Sequence, residues 1–477
     1  MNKKSNAIYI AGGSGTVVSS ASAYGLISRI FNGYRDKIDT FYAAVGGFRG
    51  AIYEDITDVF KYAREDGHQN IATKLNKLKF YTTPVFGTSR INPDERDCER
   101  LMDVFAKHNI NFVFINGGND SMKSALFLNQ YARNKGYDLY IIGIPKTIDN
   151  DLLVTHRSPG YASFAKQVAI ALMSLESDVN AFSIPHNATR GGPIKETAVA
   201  QVVVFMGRNE GWGAAATVIG KLDESYGPHV ILTKEGDFSI DAFLDRCQNA
   251  WDRYERLIVA SSEGAHDRKD YLANYLEVNI GHQDLRFKQH NDPHQNKDVS
   301  DNRLGLFLKI LLENRLNIPS EVYKDLKCRA EGVSYLNRND LEIMSLIDFK
   351  DAIAVGEKAA DLAFGRSTPI QGVMVILTQN VGETDYTRLE NVADITKGSK
   401  GMTKSIRILD TPAVPILTND GMMIDGDLYM RYIGEFIDLN GPNRSELLRG
   451  EGFRLPLRRL DWSLEARLLQ PYQKIEA

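Results

Sequence analysis

The chain has 477 residues, 43% hydrophobic and 25% charged, with a formal net charge of −4. That length exceeds what one core accommodates and predicts two α/β domains, while the small net charge argues against nucleic acid as the main partner. No apolar run approaches the roughly 20 residues that span a bilayer, and three scattered cysteines (Cys98, Cys247, Cys328) with no signal-peptide start predict a cytoplasmic protein with reduced thiols and no membrane partner.

In chain order, Ala7–Ala11 reads as a buried strand that stops at Gly12-Gly13-Ser14-Gly15-Thr16, and a helix is predicted from Ser19 to Phe31. Strand, glycine turn and helix start together make an anion site, because free N–H groups and the helix dipole point at the turn. Such turns also carry glycine for backbone reasons alone, so both readings stay open here. Phe41–Val45 reads as a further strand ending in Gly46-Gly47, and Phe86-Gly87-Thr88-Ser89-Arg90 as a turn presenting one arginine, a planar fork for phosphate.

The densest signal follows. An apolar run, Phe112–Ile115, stops at Gly117-Gly118-Asn119-Asp120-Ser121; a helical stretch from Lys123 to Leu128 leads to a second run, Leu139–Ile142. That run ends in Gly143-Ile144-Pro145-Lys146-Thr147-Ile148-Asp149-Asn150-Asp151. In a parallel sheet, ligands sit at strand C-termini. Two such ends carrying a glycine pair and a Lys-Thr-x-Asp-x-Asp cluster form the constellation of a phosphoryl-transfer site.

A long helix is predicted from Gly160 to about Leu175 and a strand from Ala198 to Phe205, ending in Met206-Gly207-Arg208 with a Gly-Trp-Gly-Ala-Ala-Ala helix behind it. Val230–Leu232 and Leu257–Ala260 are further strands, the latter followed by Ser261-Ser262-Glu263-Gly264. The restarted alternation predicts a second doubly wound domain. Residues 266–302 read as a polar insertion. His290, Asp292 and His294 within it fit a solvated excursion or oligomer contact better than a metal cluster. Leu304–Arg315 is an amphipathic helix, and Arg329 and Arg338 flank a domain crossover. Ala352–Phe364 reads as a helix, Gly372–Leu377 as a strand, and the tail, with its Arg- and Leu-rich stretch from Arg444 to Arg467, as a helical appendage.

The segment Gly143 to Asp151 resembles the signature loop of the phosphofructokinases, and Gly117 to Ser121 resembles a variant of their glycine turn. Gly12-Gly13, Gly87-Thr88-Ser89-Arg90, Met206-Gly207-Arg208, Glu263-Gly264 and Tyr335-Leu336-Asn337-Arg338 follow in the family's order, so the resemblance spans roughly residues 7 to 430. It implies two doubly wound Rossmann-like α/β domains with a central active-site cleft, the polar insertion and a C-terminal appendage. The expected boundaries are residues 1–160 with about 339–405 for the phosphoryl donor, 161–338 for the sugar phosphate, and 406–477 for the extension.

By the same resemblance, Asp149 is the base that deprotonates the 1-hydroxyl of fructose 6-phosphate. Asp151 and Asn119 would serve Mg2+, Thr147 would bond substrate, and Lys146 completes the catalytic group. Gly12, Gly13, Arg90, Gly118, Asp120 and Ser121 would face the donor. Met206, Gly207, Arg208, Glu263 and Tyr335 would hold the sugar, with Arg329 and Arg338 clamping its 6-phosphate, one reaching across from a neighbouring subunit of a homodimer or homotetramer. ATP-using members keep a small residue where Asp120 stands, and Asp120 would clash with a nucleotide α-phosphate. Lys146 could pair with pyrophosphate. Both features resemble the pyrophosphate-dependent branch and imply reversible transfer from pyrophosphate. Asn119 stands in place of the usual aspartate, and Ser14-Gly15-Thr16, Ser19 and Asn337 also depart from the pattern. An ATP-dependent enzyme and a catalytically silent, sugar-phosphate-binding paralogue are the alternatives.

Overall fold

Eleven strands run through the described residues: β1 Asn6–Ala11, β2 Phe41–Ala44, β3 Ile56–Asp58, β4 Ile110–Gly117, β5 Tyr140–Pro145, β6 Glu196–Phe205, β7 Val230–Leu232, β8 Leu257–Ser262, β9 Tyr323–Val333, β10 Val373–Leu377 and β11 Thr384–Arg388. The structure, a computed structural model, describes residues 5–61, 71–189, 196–208, 210–267, 302–320, 322–333, 335–340, 342–393 and 420–439, with Leu272, Leu417 and Thr418. The chain divides into two units. The described residues of Met1–Ser163, Arg338–Thr403 and Asp438–Ala477 make one; those of Phe164–Asn337 and Lys404–Ile437 make the other.

The first unit is built on a seven-stranded sheet in the order β11-β10-β5-β4-β1-β2-β3. β2, β1, β4, β5 and β10 pair in parallel, and only β3 and β11 at the edges run antiparallel. Period-two alternation sends Ala7, Tyr9 and Ala11 to one apolar layer and Ile8 and Ile10 to the other, so both faces of β1 are covered. On the first face lie the helices Ser19–Gly33 and Leu346–Phe364; on the second lie Glu95–Lys107 and Asn119–Asn134. Local chemistry starts two of these helices. Asp94 and Asp97 form a reciprocal capping box, and Ser345 accepts the Asp348 N–H at 3.1 Å.

The second unit carries a four-stranded parallel sheet, β7-β8-β6-β9. Its core gathers Val202, Val204, Val259, Trp251 and Phe307, and Met422 from the later segment packs there too, its carbonyl accepting the Ile231 N–H at 2.9 Å.

Three expectations change. The long helix runs on from Tyr161 to Thr189, because Glu176 and Val179 keep a buried side after the alanine stripe fades. The alanine-rich stretch after Met206 is only a four-residue helix, Trp212–Ala215, followed by a 3-10 turn, Ala216–Gly220. The crossover around Arg329 is β9, an edge strand whose period-two set against the core, Leu326, Cys328 and Ala330, is small and interleaved with Lys327, Arg329 and Glu331. Most of the 266–302 insertion, including His290, Asp292 and His294, and the stretch from Arg444 to Arg467 lie outside the described residues.

Candidate active site

In the first unit β4 lies between β1 and β5, so the loops leaving their C-terminal ends come together. Chain order reverses between β1 and β4, the switch point at which an open parallel sheet leaves a crevice. The Gly12 N–H donates to Asn116 O at 2.9 Å, the Gly13 N–H to Ser89 O at 2.9 Å and the Lys146 N–H to Gly117 O at 3.0 Å. Gly12 and Gly117 leave no room for a side chain: an added Cβ would stand 2.3 and 2.0 Å from Ser121 Oγ. Their absence of bulk seats Ser121 in the first turn of the helix Asn119–Asn134, whose N-cap, Gly118, has no side chain to satisfy the leading N–H groups.

Lys146 is buried, and its ammonium donates to Gly12 O at 2.9 Å and to Ser14 O. Burial, helped by the positive charge of Arg338, pushes its pKa down to about 7. Thr147 Oγ1 accepts the Asp149 N–H at 3.0 Å, turning the loop so that half-buried Asp149 and buried Asp151 sit close enough to interact. Burial first, and the Asp149 charge second, push the Asp151 carboxyl up to about 7, against the pull of the Asn119 amide, whose Nδ2 donates to Asp151 Oδ2 at 2.6 Å. Asp120 is exposed, 3.4 Å from Lys123 Nζ, and Arg90 Nη2 lies 3.4 Å from Ser14 Oγ.

In the second unit, β6 and β8 are neighbours, and Met206-Gly207-Arg208 and Glu263 leave their C-terminal ends. Arg208 Nε donates to Glu263 Oε1 at 3.2 Å, and the Glu263 N–H to Phe205 O at 3.0 Å. Arg329 is placed differently. It sits within β9 opposite Gln201, ion-paired with Asp178 and 4.8 Å above the Phe182 ring, away from the strand ends that carry Arg208 and Glu263. Tyr335 opens the short helix Tyr335–Arg338 and is exposed.

The model of the phosphofructokinase family matches residues 15–292. The chain belongs to the phosphofructokinase family. It is 30% identical over 75% of its length to a Halomonas elongata protein named pyrophosphate–fructose 6-phosphate 1-phosphotransferase, 77% of which is covered. It is 29% identical over 84% of its length to a protein of the same name from Rhodospirillum rubrum, 89% of which is covered. Among solved structures it resembles the pyrophosphate-dependent phosphofructokinase of Nitrosospira multiformis, with a TM-score of 0.70, 26% identity and 92% of each chain covered.

A phosphofructokinase implies Mg2+, and the loop residues fit it. Asn119 Oδ1 and Asp151 Oδ1 are buried and have no hydrogen-bond partner, while the bond between the two side chains holds them together. Mg2+ takes hard oxygens, with one or two carboxylates and the remainder from phosphate and water. Among the described residues no cluster of three or more His, Cys, Asp or Glu could hold a metal alone.

Sequence reasoning passed over the residues that hold this phosphofructokinase loop in place: Arg157, Asp348 and Asp351. Asp348 accepts from the Gly160 N–H at 2.8 Å and the Ser163 N–H at 3.1 Å. Arg157 and Asp351 form a buried pair 194 residues apart. The charged Arg157 within the loop's return was the available signal, since nothing local explains it.

Proposed function

We propose that the chain reversibly transfers a phosphoryl group from pyrophosphate to the 1-hydroxyl of fructose 6-phosphate. The observation that carries this reading is the Asn119–Asp151 hydrogen bond at 2.6 Å, which joins the acidic loop after β5 to the helix start after β4. Phosphoryl transfer needs positioning and charge neutralisation more than covalent chemistry. Asp149 takes the hydroxyl proton. Gly118 and Ser121 offer backbone and hydroxyl donors to the donor's phosphates, Gly12 and Gly13 leave room for them at the strand end, and Arg90 and Lys146 supply cations. Asn119 and Asp151 would hold Mg2+, which when bound neutralises charge on the transferring group. The exposed Asp120 carboxylate repels the α-phosphate of a nucleotide and so favours pyrophosphate. In the second unit, Met206, Gly207, Arg208, Glu263 and Tyr335 are assigned to the sugar. Arg329 and Arg338 are assigned to its 6-phosphate, one from a neighbouring copy in a homodimer or homotetramer.

Three buried free cysteines suit a cytoplasmic setting, and no described helix is long and apolar enough to cross a membrane. Initial rates with fructose 6-phosphate and Mg2+, comparing pyrophosphate with ATP, test the activity. Turnover with pyrophosphate alone is expected. Turnover only with ATP overturns the donor assignment, and binding of the sugar phosphate without turnover from either donor supports the silent paralogue.

A further inference from the structure

We propose that the buried Arg157–Asp351 ion pair positions the loop Thr147–Asp151, and through it the Asp149 carboxylate; the proposal rests on the assignment of Asp149 as base. Arg157 Nε and Nη2 meet the two oxygens of Asp351 at 2.6 and 2.9 Å, a two-toothed fork with side chains only 2% and 1% exposed. The same guanidinium donates to Thr378 O at 2.8 Å and Asn380 O at 3.2 Å, and Asp351 Oδ1 accepts the Gly382 N–H at 3.0 Å. One planar group therefore ties the loop's return segment to the helix Leu346–Phe364 and to the turn between β10 and β11.

From Arg157 the connection to the base is short. Thr155 Oγ1 donates to Arg157 O at 2.7 Å and accepts the Leu377 N–H at 3.0 Å, and the His156 N–H reaches Leu377 O at 2.9 Å. The next residue, Ser158, gives its N–H to Asn150 Oδ1 at 3.1 Å, and Asn150 is the residue after Asp149. Asn150 holds a left-handed backbone with φ of 51°, a conformation open to asparagine and fixed here by that bond. The Thr147 N–H bonds Pro159 O at 3.2 Å, closing the return segment onto the loop from its other side. Asp149 is thus fixed on both flanks by a segment that Arg157 pins. A fold that needed only apolar filling here would be served by apolar residues, since a buried ion pair contributes little net stability over them.

The test compares the parent, Arg157→Lys, which keeps the charge and loses the fork, and Asp149→Ala, by steady-state kinetics with pyrophosphate and by amide hydrogen exchange. Arg157→Lys should lose about 100-fold in kcat with KM for the sugar phosphate within about twofold. Its Thr147, Asp149, Ser158 and Gly160 amides should exchange about tenfold faster, with those of Asn119–Asn134 unchanged. Parental kcat or parental protection in Arg157→Lys overturns the proposal. Should that variant not fold, the double replacement Arg157→Met with Asp351→Leu removes both buried charges and should show the same kcat loss; parental kcat there also overturns it. Activity retained in Asp149→Ala sinks the base assignment instead. If the parent turns over neither donor, the activity reading fails and exchange alone decides whether the pair places the loop.

Discussion

The loop after β5 in the first unit and the loops after β6 and β8 in the second both end parallel strands, and they are built in opposite ways. Around Lys146–Asp151, Lys146 and Asp151 are buried, each is bound by backbone or side chains from other segments, and both have pKa values moved to about 7, with half-buried Asp149 between them. Around Arg208 and Glu263 the two side chains pair at 3.2 Å, the Glu263 N–H bonds Phe205 O at 3.0 Å and the Gly264 N–H bonds Gly207 O at 3.3 Å, and Arg208 remains 32% exposed. Proton abstraction tolerates little displacement of the base, whereas gripping a phosphosugar tolerates a mobile guanidinium. Buried charge is concentrated where the account places bond-breaking.

Substitutions can break this contrast. The largest effect is expected from Asp149→Ala: turnover should fall about a hundred- to ten-thousand-fold, with sugar-phosphate affinity measured by calorimetry nearly unchanged. Arg208→Ala should act the other way, raising KM for fructose 6-phosphate by about ten- to a hundredfold through loss of charge-assisted bonds worth about 1.5–3 kcal/mol. If both variants altered kcat and KM alike, the division of labour between the two loops would be wrong.

Smaller effects sharpen the burial side of the comparison. Lys146 titrates near 7 in the folded chain against 10.5 as its ordinary value. Between those values the unfolded chain binds the extra proton, so this group makes stability rise with pH from about 7 towards 10, its penalty being full below that window. Thermal midpoints of the parent minus those of Lys146→Met should rise across the window; a flat difference would mean that the ammonium is not desolvated. The smallest signal is proton uptake. Pyrophosphate binding at pH 8 supplies the missing counter-charge to Lys146, so calorimetry in buffers of different ionisation enthalpy should show a fraction of a proton taken up per ligand bound.

The motifs assigned to the chemistry were legible as strand ends and charge clusters because their physics is local. A glycine pair closing an apolar run, and acids spaced within one loop, declare a strand end and a charge cluster without any knowledge of the fold. What supports them was not legible. Arg157 and Asp351 lie 194 residues apart and look, one by one, like surface charges. Asp348 reads as an ordinary acid in the first turn of a helix, although its carboxyl holds the N–H groups of Gly160 and Ser163 and burial pushes it up to about 6. β9 escaped because its inward set, Leu326, Cys328 and Ala330, holds one large apolar side chain and runs among charged residues. Arg329, which the resemblance pairs with Arg338 on the 6-phosphate, sits inside that strand and is ion-paired with Asp178.

Donor choice tests the central claim most directly, because the account assigns it to one side chain at the helix start after β4. Initial rates of the parent and Asp120→Gly should be measured with pyrophosphate and with ATP, at saturating fructose 6-phosphate and Mg2+. The account predicts pyrophosphate turnover in the parent, none with ATP, and ATP turnover gained when the exposed carboxylate is removed. A parent that uses ATP with Asp120 intact would contradict it.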